Sequence, residues 1–275
     1  EQKPDLVVVV GDVNSTVAGA EAAKELGIKV AHVEAGLRSF DKSMPEEINR
    51  IVADHCSDIL LAPDEPSYNN LLNEGIPKEK IHIVGSTAYT SSLRNRELAR
   101  ESTILESISV KNGDYILATI HRAENTNDSN VLKGMVEALN VISEQKKIVF
   151  PLHPRTKELI KDIELNKNII VIEPQGYINF IKLLDSASFV LTDSGGIQEE
   201  SAALDTPCVV MRNETEMMYL IKLGKNILAG TKKEDIVKIS QDLITHENKL
   251  ETMRNVEVDY RKNIAETIVE ILKKC

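Results

Sequence analysis

The chain has little basic charge, no long apolar stretch and few cysteines, and each shortage removes a class of function. Its 33 Lys and Arg stand against 43 Asp and Glu, a net charge of −10. That balance argues against nonspecific nucleic-acid binding, which draws its affinity from cations neutralising phosphates. No run approaches the roughly 18 apolar residues that a membrane-spanning helix needs, and the N-terminal residues lack a signal-peptide pattern. Cys56, Cys208 and Cys275 are far apart and fit no metal-ligand spacing. They read as two core thiols and one terminal thiol in a reducing cytoplasm. There is also no internal repeat, no low-complexity tract and no initiator Met. Glu1 to Asp5 leads directly into a strand, as though the chain had been cut.

What is present is the composition of a globular protein, 42% hydrophobic and 28% charged over 275 residues, enough for two ordinary domains. Leu6 to Val10 is an uninterrupted apolar run of the kind buried on both faces of a parallel sheet, and a helical pattern over Val17 to Leu26 follows it, stopped by Gly27. Further strands are expected at 29–33, 59–62 and 81–84, with helices led by Pro45 and Pro66. After a polar helical connection over 87–108, a second series places strands at 115–119, 147–152, 169–172, 189–192, 208–211 and 227–230. Helices are expected at 129–145, 179–187, 197–204, 234–245 and 258–274. This rhythm predicts an α/β chain of two Rossmann-like domains. The first covers 1–93, incomplete and completed by a C-terminal helix within 256–275; the second covers 94–255.

Ligands of open α/β sheets lie beyond the carboxyl ends of the strands. This chain concentrates polar residues there: Asp12, His32 and Glu34 in the first half, then His121, Arg122, His153, Arg155 and the stretch Asp193 to Glu200. Buried polar groups left unpaired cost about 2–7 kcal/mol, so such clustering points to a site. In FVLTDSGGIQEESAA, Phe189 to Ala203, an apolar strand runs through Ser194, Gly195 and Gly196 into a helix. Backbone N–H groups at such a helix start suit a phosphate, and the glutamates that follow suit sugar hydroxyls. The alternative is a turn whose glycines only permit tight packing. Asp12 could equally cap the following helix, His32 could be a satisfied core histidine, and one of Glu46 and Glu47 could serve the helix dipole alone. Three acids, Asp12, Glu34 and Glu46, and one histidine set against an anion cradle suit proton transfer on a sugar whose leaving group is a nucleoside diphosphate.

Five motifs in order, HVEAGLRS at 32–39, PEEINR at 45–50, HRAEN at 121–125, FPLHPR at 150–155 and LTDSGGIQEE at 191–200, closely resemble the non-hydrolysing UDP-N-acetylglucosamine 2-epimerases. The resemblance implies the glycosyltransferase-B architecture with a central cleft, an N-terminal truncation, and interconversion of UDP-GlcNAc and UDP-ManNAc without metal or nicotinamide. It implies proton transfer by Asp12, Glu34 and Glu46, with His121 beside the departing diphosphate. Ser194, Gly195 and Gly196 would hold phosphate oxygens, Glu200 the ribose, and Arg50 would balance charge. Arg122 and His153 match positions that contact a second, regulatory UDP-GlcNAc in some members. A homodimer is also implied. The alternatives are a hydrolysing epimerase releasing free ManNAc, a glycosyltransferase on the same architecture, and a fragment that binds UDP without turnover.

Overall fold

The computed structural model describes residues 3–258 and 263–274, with the side chains of Pro154 and Arg155 outside that description. The expectations for Cys275, for the Arg155 side chain and for residues 259–262 of the last helix therefore lie outside the described residues. The chain separates into two compact units, Glu1–Thr90 with Asp259–Cys275, and Ser91–Val258.

In the first unit β1 (Leu6–Val10), α1 (Asn14–Glu25), β2 (Lys29–Val33), α2 (Pro45–Cys56), β3 (Ile59–Ala62), α3 (Glu65–Asn73) and β4 (Ile81–Ile83) alternate, and α4 (Thr87–Ala99) runs across the division. The four strands are parallel in the order β1-β2-β3-β4. β3 is fully buried, as its apolar run demands. β1 departs from expectation: Val9 packs with Ala20 and Ala23 of α1, but Val8 and Val10 are 45% and 53% exposed. Pairing with β2 and cover by α1 account for one edge and one face only, so a run that reads as doubly buried is half open. Asp12 does not cap α1 either. Val13 stands at the N-cap, the Asp12 carboxylate turns to Arg50, and the helix opens three residues earlier than its periodicity suggests.

In the second unit the described strands are β5 (Tyr115–Thr119), β6 (Lys147–Pro151), β7 (Ile169–Ile172), β8 (Val190–Thr192), β9 (Cys208–Val210) and β10 (Asn226–Leu228), all parallel. Their order is β10-β9-β8-β5-β6-β7. From β5 the chain winds outward to β7, then returns to the other side of β5 at β8. That reversal makes the carboxyl ends of β5 and β8 a topological switch point, the place where doubly wound sheets hold ligands. Helices α5 (Ile104–Ser107), α6 (Ala123–Thr126), α7 (Ser129–Ser143), α8 (Pro154–Leu159), α9 (Tyr177–Asp185), α10 (Gly195–Ala203), α11 (Met218–Leu223), α12 (Lys233–Thr245) and α13 (Glu247–Arg254) complete it. Alternate residues of β5 serve two cores: Ile116 and Ala118 pack with α7 and α12, Tyr115 and Leu117 with α9. Cys208 lies wholly inside, its thiol pushed up to about 12 by burial, and is an inert core residue.

The last helix, α14 (Ile264–Leu272), inserts Ile264 and Ile268 among Ala31, Val33, Ile59 and Leu61 of the first unit. Its amphipathic period drives that packing, since an isolated nine-residue helix is marginal in water. α13 has no counterpart in the expected pattern. Its sequence, ENKLETMR, carries only Leu250 and Met253 as an apolar stripe, too thin a signal to separate it from a polar loop.

Candidate active site

In the first unit the strand ends gather acids around one buried arginine. β1 ends at Gly11, whose φ of +68° turns the chain sharply, and Asp12 follows. The Arg50 guanidinium, 2% exposed, reaches Asp12 Oδ2 from Nε at 3.0 Å and from Nη2 at 2.9 Å, while Nη1 donates to Glu47 at 2.6 Å. Glu47 also accepts from the backbone N–H groups of Ser39 and Phe40 at 3.0 Å each. Glu47 is therefore the structural member of the Glu46–Glu47 pair. Glu46, one residue earlier, is half-buried, and among the described residues no hydrogen bond or ion pair engages its carboxylate.

Glu34 holds the least ordinary backbone of the group. It adopts φ +71°, a conformation that costs a bulky residue about 1–3 kcal/mol and persists only where its surroundings over-determine it. Its N–H and that of Ala35 both donate to Leu61 O, which locks the turn. The side chain accepts one bond, from Thr87 Oγ1 at 3.2 Å, and its Oε2 lies 3.6 Å from where a Cβ on Gly11 would stand. Burial pushes the Glu34 carboxyl above its ordinary range; the Thr87 bond opposes this, and the Asp12 charge adds to it. A carboxyl so placed exchanges a proton nearer neutrality than an exposed one.

In the second unit the switch point collects the other residues singled out from sequence. Asp193, at the end of β8, is fully buried and accepts from the N–H groups of His121 and Arg122 at 3.0–3.1 Å and from Asn125 Nδ2 at 3.1 Å. It also takes His121 Nδ1 at 3.0 Å. Burial alone would raise this carboxyl, but the His121, Asn125 and Arg122 donors hold it below the usual range. Asp193 thus fixes the loop after β5 to the end of β8 and leaves Nε2 as the outward nitrogen of the half-exposed His121 ring. An Asp at a buried strand end carries the same sequence signal as Glu34, yet sequence reading assigned it no role of its own.

The glycines of the cradle differ from each other. Both fall inside α10, not in a loop before it, and Ser194 is the N-cap, its Oγ accepting from Ile197 N while its O–H remains a donor. A Cβ on Gly195 would overlap Glu216 Oε1, whereas one on Gly196 would meet nothing within 4 Å. Gly195 makes room for a protein carboxylate, and Gly196 is the open position. Glu216 lies between two arginines, 2.9 Å from Arg212 Nη1 and 3.5 Å from Arg122 Nη2. Of the two glutamates expected to suit sugar hydroxyls only one is accessible. Glu199 is buried, with the Tyr219 hydroxyl 3.3 Å away, while Glu200 at the rim takes a 2.9 Å bond from Tyr177 and is pushed upward by burial. His153 is exposed just beyond β6. Thr87 and Tyr177, which hold Glu34 and Glu200, sit 53 and 23 residues from their partners and left no sequence signal.

Residues 1–273 match the family model of UDP-N-acetylglucosamine 2-epimerase. The chain belongs to the UDP-N-acetylglucosamine 2-epimerase family. Among its relatives, the UDP-N-acetylglucosamine 2-epimerase of Methanocaldococcus jannaschii is 47% identical over 249 residues, covering 86% of this chain and 68% of the relative. The UDP-2,3-diacetamido-2,3-dideoxy-D-glucuronate 2-epimerase of Pseudomonas aeruginosa is 46% identical, covering 86% and 67%. The crystal structure of the M. jannaschii 2-epimerase in complex with UDP-GlcNAc and UDP superposes with a TM-score of 0.86, at 43% identity over 99% of this chain and 76% of that one. The two parallel sheets of this epimerase are those of the glycosyltransferase-B-like epimerase fold. Among the described residues no helix is long and apolar enough to cross a membrane, and no group of three or more His, Cys, Asp or Glu could hold a metal ion.

Proposed function

We propose that this chain inverts C2 of UDP-N-acetylglucosamine, giving UDP-N-acetylmannosamine. A base removes the proton from C2, its electrons form the C1–C2 double bond of a 2-acetamidoglucal, and the C1–O bond breaks to release UDP. Proton delivery to the opposite face of C2 and return of UDP to C1 complete the reaction. The observation that carries this reading is Glu34: a carboxyl pushed upward by burial, beside Asp12, on a strained turn. Asp12 and Glu46 are the other acids for the two faces of C2, with Arg50 compensating charge.

The second unit supplies the grip on the nucleotide. The N–H groups at Gly195 and Gly196, with the Ser194 hydroxyl, suit phosphate oxygens at the positive end of α10, and Glu200 suits the ribose hydroxyls. His121, held by Asp193, presents Nε2 to the diphosphate that leaves. Arg122 and His153 follow the adjacent strands β5 and β6, and we assign them to a second, regulatory UDP-GlcNAc. The near-equal identity to the P. aeruginosa enzyme favours one further substrate, UDP-2,3-diacetamido-2,3-dideoxy-D-glucuronate, which shares the UDP leaving group and an acetamido C2.

Incubation of each sugar nucleotide in D₂O with the chain tests this directly. Deuterium at C2 and appearance of the C2 epimer, without free ManNAc, are expected; free ManNAc identifies a hydrolase, and sugar transfer without C2 exchange a transferase. The acid limb of the pH–rate profile is expected above the ordinary carboxylate range. Thr87→Val removes the one bond that stabilises the Glu34 carboxylate, so that limb should move to still higher pH. An unmoved limb assigns it to another group.

A further inference from the structure

His32 is wholly buried on β2, and both ring nitrogens meet oxygens: Nδ1 lies 2.7 Å from Asp54 Oδ1 and Nε2 lies 2.8 Å from the Gly11 carbonyl oxygen. The carbonyl has no proton to give. Nor has Asp54 as a carboxylate, the form favoured by the Arg38 guanidinium, whose Nη2 is 2.7 Å from Oδ2, and by the Gly36 N–H at 3.1 Å from the same oxygen. A neutral imidazole has one N–H, so it would turn a lone pair on one of these oxygens at under 3 Å. Only the doubly protonated ring satisfies both contacts.

The charge this implies is compensated. Arg38 passes from Asp54 to Glu74, donating through Nε and Nη2 at 2.7 Å each. His32, Asp54, Arg38 and Glu74 form a chain of alternating sign, two cations and two anions, which is the condition under which buried charge is tolerated. The groups facing the ring are Asp54 from α2, the Gly11 carbonyl beyond β1, and Glu34 at the end of its own strand.

Gly11 and Glu34 flank the proposed chemistry. The Nε2–H bond holds the peptide carbonyl of Gly11, at the turn that sets Asp12, while Gly11 N donates to Val33 O next to Glu34. We propose that His32 is a positioning residue that works as an imidazolium at neutral pH, clamping the Gly11 turn so that Asp12 and Glu34 are held for proton transfer at C2. The role in turnover rests on the epimerase reading above; the charge state does not.

Burial works against a charged ring, but the bonds to Asp54 and Gly11 outweigh it, and His32 is raised above 6.5. A folded value above the unfolded one means that the stabilisation is fully present below about 6.5 and is lost as pH rises through the folded value. The clamp should therefore loosen on the alkaline side.

The test begins with the wild-type chain. With ¹⁵N-labelled histidine, two slowly exchanging ring N–H signals are expected for His32 at neutral pH, and the Asp12 and Glu34 amide resonances should follow its alkaline titration. A single N–H at neutral pH overturns the proposal, as do amides indifferent to that titration. His32→Gln should cut C2 deuterium exchange by about 10²-fold, the scale of a misplaced catalytic group, and change the alkaline limb of the pH profile while UDP affinity stays the same. Wild-type exchange in a folded H32Q also overturns it. If the wild-type chain exchanges no deuterium with either sugar nucleotide, the epimerase reading fails, and the ring and amide measurements still decide the clamp.

Discussion

Glu34→Gln is expected to lower C2 deuterium exchange by about 10²-fold or more, the range of a lost general acid–base group, while UDP still binds. Gln is nearly isosteric, its amide carbonyl can still accept from Thr87 Oγ1, and it leaves the Leu61 backbone bonds in place. What it removes is the capacity to carry a proton. Calorimetric UDP titration beside the exchange assay separates the two roles, because the groups assigned to UDP belong to the second unit. An E34Q variant exchanging at the wild-type rate would take Glu34 out of the mechanism. The position also explains why the site depends on its scaffold. A β-strand delivering a carboxylate through φ +71° is a strained arrangement, held by Leu61 O on one side and the Gly11 turn on the other.

Gly36→Ala should be the most damaging small substitution for the first unit. Gly36 has φ +83°, and a Cβ there would overlap the Ser67 carbonyl oxygen and stand 2.8 Å from Leu71 Cγ. The left-handed backbone costs an L-residue about 1–2 kcal/mol. Overlap with a backbone carbonyl that cannot rotate away adds about 1–3 kcal/mol. Gly75→Ala is the control, since Gly75 shares φ +83° but has nothing within 4 Å, so it should show the conformational part alone. Denaturant-dependent hydrogen exchange of the β2 and β3 amides reads the first unit separately, which matters in a chain of two units where one global free energy is ill defined. Equal losses in the two variants would show that α3 gives way and that close packing at Gly36 contributes nothing. Gly36 also donates to Asp54 Oδ2, so the substitution should disturb the buried charge chain as well.

Much of this molecule is legible in the linear chain. The apolar runs at 6–10, 115–119 and 147–150 form parallel strands, Pro45 opens a helix, and Gly27 follows one with φ +69°. These follow from local sterics and burial, which depend on neighbours in sequence. The strand-end positions of Asp12, Glu34, His121 and Ser194 were equally legible, because polar residues closing buried strands are costly without a purpose.

What the sequence determined by itself was the set of elements and the list of polar groups at their ends. The division of labour within that list was decided by tertiary structure. Glu46 and Glu47 are equivalent in a helix's first turn until Ser39, Phe40 and Arg50 claim Glu47; Glu199 and Glu200 are equivalent until Tyr219 and Tyr177 take one each. Gly195 and Gly196 are equivalent until Glu216, 21 residues after Gly195, takes the space a Cβ on Gly195 would need. The reversal of strand order at β5 and β8, and the imidazolium of His32, have the same origin. Each depends on which distant side chains reach a given atom, and hydrogen bonds and charge compensation are settled by proximity in space, which neither periodicity nor spacing along the chain records.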